Sequence, residues 1–272
     1  MLETLEPIMN KVALDDALHY ASELPTESVD MYLFSPPYSD IRTYQDNWTL
    51  DFHALGREIY RSLKDGGICA VVINDGTKDF AKSLTTARLT VDWCDNLHTE
   101  QEQTPNFKLF EQCIYSRHGN PGAWWSKRFR VDHEYILLFF KGKRPKSFNK
   151  EPLMIDSKHS GKIFSGTDRQ TDGTLKKIKP TAVNAKKCRG TIWNYATSNS
   201  EGNKLKINHP ASFPDKLAED LILCFTKEDE VVCDLFSGSG TTARMAKKNN
   251  RNFLATDLAE EYNNIANALL NK

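Results

Sequence analysis

The sequence predicts an α/β fold in which a doubly wound, mostly parallel sheet carries helices on both faces. Two near-continuous apolar runs, Val29–Phe34 (VDMYLF) and residues 230–236 (EVVCDLF), are typical of strands buried on both sides. Each run stops at a turn, Ser-Pro-Pro-Tyr after the first and Ser-Gly-Ser-Gly after the second. Amphipathic stretches separate such runs, and strands that alternate with helices indicate a parallel sheet.

Apolar periodicity locates the elements of the first half. An amphipathic pattern over residues 50–63 predicts a helix, and the Asp65-Gly66-Gly67 triplet that follows is a typical helix end. Helical spacing also covers residues 15–24. The predicted strands of this half are Lys11–Leu14, Val29–Phe34, 68–73, 113–116 and 134–141.

The second half begins with a stretch that has no clear period. Residues 142–208 are rich in Lys, Ser, Thr, Asn and Gly, which indicates an insertion or a small second lobe. Residues 1–141 and 209–272 would then be two halves of one domain. Beyond the insertion, the predicted elements are helices over 214–225, up to about Lys248 and over Glu260–Leu270, and strands over 230–236 and 251–257.

Composition favours a globular intracellular chain. Of its 272 residues 39% are apolar, the mean hydropathy is −0.55, and no apolar run approaches 18 residues, so no membrane span or membrane partner is expected. The start has neither a basic nor an apolar signal region. The six cysteines are scattered with no C-x-x-C, as in reduced cytosolic proteins, so we expect a cytoplasmic location.

Charge is unevenly distributed along a chain whose net charge is zero. Between Lys141 and Lys206 there are 16 Lys/Arg and 5 Asp/Glu, a net charge of +11, so the rest of the chain carries −11. Such a basic segment is typical of a face that binds a polyanion such as nucleic acid. A solvated, lysine-rich loop is the alternative, and charge alone leaves both open.

The glycine-rich segment at residues 234–240 (DLFSGSG) is predicted to form a turn between a strand and a helix. Glycines let a ligand approach backbone amides at a helix N-terminus. Asp257 ends the next strand, where a carboxylate can accept hydrogen bonds from ribose hydroxyls, so the pair indicates an adenosine-containing cofactor. A turn that needs glycine only for packing is the alternative. No Gly-Lys-Ser/Thr follows, which excludes a P-loop, and a dinucleotide site is disfavoured because only G-x-G-x-x-A would fit.

The segment Ser35-Pro36-Pro37-Tyr38 follows a buried strand, at the sheet edge where ligands bind in open α/β sheets. Prolines fix φ and leave rigid carbonyl acceptors, while the serine adds a hydroxyl and the tyrosine an aromatic face. Together they suit a planar ring with an exocyclic amine. The alternative is a strand terminator whose tyrosine packs internally.

These two loops resemble those of the amino-methylating DNA methyltransferases, whose catalytic loop reads Asp/Asn/Ser-Pro-Pro-Tyr/Phe and whose cofactor loop reads Asp-Pro-Phe-x-Gly-Ser-Gly-Thr-Thr. The chain departs only at Leu235, where the family has proline. Residues 61–67, 133–137 and 209–214 also resemble recurrent family blocks. The catalytic loop precedes the cofactor loop, which is the permuted order called the β class.

The resemblance implies a Rossmann-like methyltransferase fold, the cofactor S-adenosyl-L-methionine and no metal. Residues 1–141 would be the catalytic half, 142–208 a basic target-recognition insertion and 209–272 the cofactor half. The implied catalytic residues are Ser35, Pro36, Pro37 and Tyr38. The implied cofactor-binding residues are Asp16, Phe213, Asp234, Phe236, Gly238, Ser239, Gly240, Thr241 and Asp257.

Duplex DNA with a flipped target base is the implied partner, and the insertion is the expected contact surface. Base-edge contacts are expected from Asn184 and from arginines of the insertion, and phosphate contacts from its lysines. A basic-aromatic loop at residues 117–130 is a second candidate surface. The expected DNA-binding residues are Arg128, Arg130, Arg144, Arg169, Lys176, Lys177, Lys186, Lys187 and Arg189.

The expected reaction is methyl transfer to the N4 amine of cytosine, because Ser35 at the first loop position is typical of the family's cytosine enzymes. N6-adenine methylation, an RNA methyltransferase and a non-catalytic DNA-binding protein remain alternatives. Asp40 and Asp75 are candidate proton acceptors, with ordinary loop or capping roles as the alternative. A restriction-modification system with a cognate endonuclease, an orphan methylase and a homodimer are left open.

Overall fold

The computed structural model describes residues 2–37, 50–118, 129, 131–196 and 213–271. The helices are α1 (Ala17–Glu23), α2 (Phe52–Ser62), α3 (Thr85–Val91), α4 (Asp215–Phe225), α5 (Thr241–Lys248) and α6 (Glu260–Leu270). The strands are β1 (Lys11–Leu14), β2 (Val29–Phe34), β3 (Leu63–Ile73), β4 (Thr77–Lys78), β5 (Ala81–Lys82), β6 (Lys108–His118), β7 (His133–Phe140), β8 (Met154–Asp156), β9 (Ile163–Arg169), β10 (Leu175–Ala182), β11 (Lys186–Cys188), β12 (Ile192–Ala196), β13 (Val231–Asp234) and β14 (Asn252–Asp257).

The central sheet has eight strands in the order β1-β14-β13-β2-β3-β7-β6-β12. Neighbours from β1 to β3 are parallel, β7 runs antiparallel to both β3 and β6, and β12 is parallel to β6. The predicted class, an α/β fold with a mostly parallel sheet, is therefore confirmed.

Both faces of the sheet are buried, as the continuous apolar runs predict. In β2, Tyr32 and Phe34 belong to an apolar cluster that also includes residues of α1 and α2. Met31 and Leu33 alternate with them, lie outside that cluster and are equally buried. Because successive strand residues point to opposite faces, both sides of β2 lie under other layers.

The chain divides into two compact units, and the smaller unit spans fewer residues than the predicted insertion. The larger unit comprises Met1–Asn149 and Thr191–Lys272, and the smaller is Lys150–Gly190. Within residues 142–208, β12 pairs with β6 and so belongs to the central sheet. The smaller unit contains two antiparallel pairs, β9 with β10 and β8 with β11.

The strands of the smaller unit were not predicted from the sequence, and the reason is physical. Every residue of β9 and β10 is exposed, so neither strand has the alternation of buried and exposed positions that marks a strand in a sequence. The π-helical turn Asp92–Asn96 after α3 was also not predicted; it buries Trp93. Among the described residues, no helix is both long and apolar enough to cross a membrane.

Candidate active site

Four neighbouring parallel strands bring the predicted functional loops to one edge of the sheet. In the order β1-β14-β13-β2, their carboxyl ends lead to Asp16, Asp257, the loop after Asp234, and Ser35. The register of β1 with β14 pairs Leu14 with Asp257, so the first two ends are level. This edge is where ligands bind in open α/β sheets.

The Ser-Pro-Pro segment leaves a strand that is buried along its whole length. Ser35 and Pro37 are half-buried and Pro36 is buried. The hydroxyl of Thr242, in the first turn of α5, donates to the Leu33 carbonyl at 3.2 Å. This contact ties the strand that carries Ser35 to the helix that follows the glycine loop. Tyr38 and the candidate base Asp40 lie outside the described residues.

The glycine loop turns sharply between β13 and α5. Gly238 has φ +50° and Gly240 has φ +77°, values in the left-handed region that favours glycine. A Cβ on Gly240 would lie 3.1 Å from the Cβ of Ala266. The amide of Ser237 donates to the Thr256 carbonyl at 2.9 Å, which fastens the loop to β14. Phe236 faces Phe34, with ring centroids 5.5 Å apart.

Asp257 is held by two backbone amides beside that loop. Gly238 N–H donates to Oδ2 at 2.7 Å and Ala259 N–H donates to Oδ1 at 2.9 Å. Burial raises the pKa of this carboxyl, and the two amides oppose that rise. Each carboxylate oxygen retains a second lone pair, so further hydrogen bonds to a ligand are chemically open.

Three hydroxyls of the loop and the adjoining helix start are buried without a hydrogen-bond partner among the described residues. They belong to Ser237, Ser239 and Thr241. A buried hydroxyl without a partner costs about 1–3 kcal/mol, so these three within five residues are available to hydrogen-bond a ligand. The next hydroxyl, that of Thr242, is paired with Leu33.

Asp234 lies at the base of the loop and is only 2% exposed. Its Oδ1 accepts from the Phe236 amide at 3.0 Å. Burial raises the pKa of Asp234 to about 7, against the opposing effect of its contacts with the Phe236 amide and the Thr242 side chain. These contacts make the carboxyl a support for the turn.

The two remaining cofactor candidates have local roles. Asp16 caps α1, with Oδ1 accepting from the amides of Leu18 and His19 at 2.9 and 3.1 Å. That contact accounts for an acid at this position without a ligand. Phe213 is buried and precedes Pro214, the N-cap of α4.

The predicted DNA-binding residues divide between the two units. Arg144 is exposed and belongs to the larger unit. In the smaller unit the exposed candidates are Arg169, Lys176, Lys177, Asn184, Lys186 and Lys187. Arg189 is half-buried, which makes it a weaker candidate for base contact than its residue type suggests. Arg128 and Arg130 lie outside the described residues.

Asp75, the second candidate base, is occupied by a structural contact. Its Oδ1 accepts from the Thr86 amide at 2.9 Å and from the Thr86 hydroxyl at 3.1 Å. No group of three or more His, Cys, Asp or Glu within the described part of the chain is arranged to hold a metal ion.

Sequence reasoning missed Ser237, Thr242 and Phe34. Ser237 lies inside the recognised loop, and its hydroxyl is the signal that was available in the sequence. The roles of Thr242 and Phe34 depend on contacts between segments far apart in the chain, Thr242 with Leu33 and Phe34 with Phe236, which no local pattern encodes.

Comparison with known proteins gives the family. A family model described as DNA methylase (N6/N4 methyltransferases) matches residues 29–268, which include both loops. The chain belongs to the N6/N4 DNA methylase family. An orphan methyltransferase of Bacillus amyloliquefaciens, M.BamHII, is 32% identical to this methylase over 252 residues, covering 89% of each chain.

Solved structures agree on the fold. The PvuII DNA methyltransferase, described as cytosine-N4-specific, superposes on this methylase with a TM-score of 0.67 at 20% identity, covering 96% of this chain and 94% of the other. The Thermus thermophilus protein TTHA0409, complexed with S-adenosyl-L-methionine, gives a TM-score of 0.61 at 22% identity, with the same two coverages. The predicted amino-methyltransferase fold is confirmed, and the methylase is a DNA methyltransferase.

Proposed function

We propose that this methylase transfers a methyl group to the N4 amine of cytosine in duplex DNA, with the target base flipped into the sheet edge at Ser35. The observation that carries the proposal is the link between the two loops. Thr242 bonds the Leu33 carbonyl, and Phe34 lies against Phe236, so the amine-binding segment and the cofactor loop are neighbours.

The cofactor of this methylase is S-adenosyl-L-methionine, and the loop residues fit it. Asp257 would accept hydrogen bonds from the ribose hydroxyls. The hydroxyls of Ser237, Ser239 and Thr241 would gain the partners they lack among the described residues. Phe236 would present its ring to the sulfonium. When bound, the cofactor supplies a methyl group that its positive sulfur makes electrophilic.

Ser35 and Pro36 would hold and orient the amine. The lone pair of an exocyclic amine is delocalised into the base, so the amine attacks poorly until it is held pyramidal. The Ser35 hydroxyl and the Pro36 carbonyl would each accept a hydrogen bond from one N–H group of the amine. These two bonds would direct the lone pair of the amine nitrogen at the methyl group. The proline ring fixes φ at Pro36 and so restricts the direction of the carbonyl acceptor. Tyr38 would stack on the flipped base.

Among the described residues, no side chain is assigned as the acceptor of the proton that the amine releases. Asp75 is engaged by Thr86, which favours its capping role over catalysis. Because the methylated amine is acidic before it loses that proton, transfer to water is sufficient.

Cytosine is favoured over adenine by Ser35 alone. The resemblance associates a serine at this loop position with cytosine enzymes and an acidic or amide residue with adenine enzymes. A neutral hydroxyl accepts more weakly than a carboxylate does. N6-adenine methylation is the second candidate, because the matched family includes both activities.

The smaller unit supplies the DNA contacts in this proposal. Between Lys150 and Gly190 there are ten Lys/Arg and four Asp/Glu, a net charge of +6, and most of these cations are exposed. Contacts from such cations to phosphates release counterions, which favours duplex binding at low salt. The cofactor loop and Ser35 lie in the larger unit.

The proposed cellular setting is that of a DNA-modifying enzyme. We place this methylase in the cytoplasm, acting on chromosomal DNA, either with a cognate restriction endonuclease or as an orphan like the Bacillus relative. Size-exclusion chromatography with light scattering decides between a monomer and the homodimer left open by the sequence.

Transfer of a labelled methyl group tests the reaction class. The full chain is incubated with S-adenosylmethionine tritiated in the methyl group and with duplex DNA, single-stranded DNA or RNA. We expect label in duplex DNA. Label confined to RNA would support an RNA methyltransferase, and DNA binding without transfer would support a non-catalytic protein.

A further inference from the structure

Strands β9 and β10 form a two-stranded ribbon with both faces exposed. No third strand pairs with them among the described residues. The large apolar side chains of Ile163, Phe164 and Leu175 are 73%, 58% and 64% exposed. A strand pair that covers no core and leaves such side chains in water is typical of a surface that a partner covers.

The tip of the ribbon is internally bonded. Gln170 N–H donates to the Thr174 carbonyl at 2.8 Å, and Gly173 N–H donates to the Gln170 carbonyl at 2.9 Å. Asp172 Oδ1 accepts from both the amide and the hydroxyl of Thr174, which lowers the pKa of that carboxyl. Gly173 has φ +84°, which the turn requires. The ribbon is therefore shaped before any partner arrives, and binding orders little further chain.

Charge and width identify the partner. From residue 162 to residue 182 there are five Lys/Arg and two Asp. The family acts on DNA, and the major groove of B-DNA, about 12 Å wide, admits a two-stranded β-ribbon. The minor groove, about 6 Å wide, does not admit a ribbon lying flat.

The strand register sorts the ribbon's side chains onto two faces. Arg169 pairs with Leu175, and Thr167 pairs with Lys177. These two pairs share one face of the ribbon, which we call the first face, so both cations lie on it. On the second face Lys176 pairs with Asp168, so an acid offsets its charge. The first face has two cations and no acid at these paired positions.

The end of the ribbon farthest from its tip borders a groove within the smaller unit. Phe164 and Thr181 pair on the second face, and both line this groove of about 520 Å³. The groove is also lined by Lys150, Lys186 and Lys187. Ala182, which pairs with Ile163 on the first face, lines the groove as well, so the groove marks the base of the ribbon, where these lysines lie. The two unopposed cations Arg169 and Lys177 make the first face the one offered to a polyanion.

We propose that the β9–β10 ribbon enters the DNA major groove with its first face towards the base edges. Arg169 donates to the O6 and N7 acceptors of a guanine, with Thr167 and Lys177 contacting neighbouring base edges. Lys186 and Lys187 hold flanking phosphates. This inference rests on the DNA-binding role proposed for the smaller unit and does not depend on which base is methylated.

Two adjacent lysines provide the matched test. Lys176→Ala and Lys177→Ala remove the same charge from exposed neighbouring positions on opposite faces. DNA binding by the full chain is measured with a duplex containing its methylation site, mapped beforehand, and with an unrelated duplex, over a range of salt concentrations. Far-ultraviolet circular dichroism checks that each variant folds.

The variants on the two faces should differ in how strongly they weaken binding to the methylation site compared with unrelated DNA. Lys177→Ala and Arg169→Ala should weaken binding to the site by about 5- to 100-fold and to unrelated DNA by less than about threefold. Lys176→Ala should weaken both equally, by a few-fold. Replacement of site guanines by 7-deazaguanine should weaken the wild type but not Arg169→Ala.

Two results would overturn the ribbon assignment. One is an equal effect of Lys176→Ala and Lys177→Ala on site preference. The other is displacement of the protein by a minor-groove ligand such as distamycin but not by the major-groove ligand methyl green. Nucleoside analysis of the methylated product is independent of both, so a failure here is distinguishable from a failure of the proposed reaction.

Discussion

The backbone amide of Gly238 donates a 2.7 Å hydrogen bond to Oδ2 of Asp257, joining the glycine loop to the end of the neighbouring strand. The acid at this position therefore has two functions in the account. It fixes the left-handed Gly238 that opens the loop, and it remains able to accept from a ribose hydroxyl.

Asp257→Ala should therefore weaken cofactor binding more than the loss of one ligand contact would. Loss of a hydrogen bond to a charged group costs about 1.5–3 kcal/mol, or roughly 10- to 150-fold in affinity, and release of Gly238 adds to it. Equilibrium dialysis with labelled S-adenosylmethionine measures the effect. Glu228→Ala, which removes an exposed acid before β13 at the opposite sheet edge, is the control. Equal affinity of all three proteins would show that the cofactor lies elsewhere.

Thr241 and Thr242 are adjacent and equally buried but differ in their partners. Thr241→Val removes a hydroxyl that has no partner among the described residues, so the free energy of unfolding should stay constant or rise, while cofactor affinity falls by about 5- to 30-fold. Thr242→Val loses the contacts of this hydroxyl with the Leu33 carbonyl and with Asp234, so the free energy of unfolding should fall by about 1–2 kcal/mol. Urea unfolding and dialysis on both variants make the comparison, and identical profiles would refute the distinction.

Ser35→Ala should lower the methyl-transfer rate constant by about 10²–10³ with little change in cofactor affinity, because one acceptor for the amine is lost in the transition state. Ser237→Ala is the matched serine control, and its main effect should be on cofactor affinity. Single-turnover transfer and dialysis separate the two quantities. A Ser35→Ala variant that loses affinity and rate in proportion would not have a catalytic serine.

Asp234 should make the protein less stable as pH rises from about 4 to about 7. Burial raises its pKa from 3.8 to about 7, so the folded state holds a proton that the unfolded state has already released across this window. The stabilisation is complete below the unfolded pKa and is lost through the folded pKa, by as much as about 4 kcal/mol. Asp234→Asn, which keeps an acceptor for the Phe236 amide, should flatten this part of the stability curve. Parallel curves for the two proteins in urea unfolding between pH 4.5 and 7.5 would contradict the assignment.

The sheet and the positions of the two loops at its edge could be predicted because buried parallel strands leave strong local signals. The bounds of β1, β2 and α6 agree with the sequence prediction, and Ser35, Asp234 and Asp257 lie at the turns and strand ends where the sequence places them. Continuous burial makes such strands apolar throughout, and a break at proline or glycine marks where each one ends.

The rest depends on contacts between distant parts of the chain. The capping bonds of Asp16 and Asp75, the Thr242–Leu33 bond and the burial that raises the pKa of Asp234 arise only once the strands assemble. The β9–β10 ribbon was not predicted because a ribbon that covers no core needs no alternation of apolar and polar residues.

The identity of the methylated base decides whether the Ser35 loop acts on cytosine. Duplex DNA methylated by the full chain is digested to nucleosides and analysed by mass spectrometry against N4-methylcytidine and N6-methyladenosine standards of the deoxy series. We expect N4-methyldeoxycytidine in DNA treated with the wild-type protein, and none in DNA treated with Ser35→Ala under the same conditions. N6-methyldeoxyadenosine as the product would contradict the assignment of cytosine to the Ser35 loop.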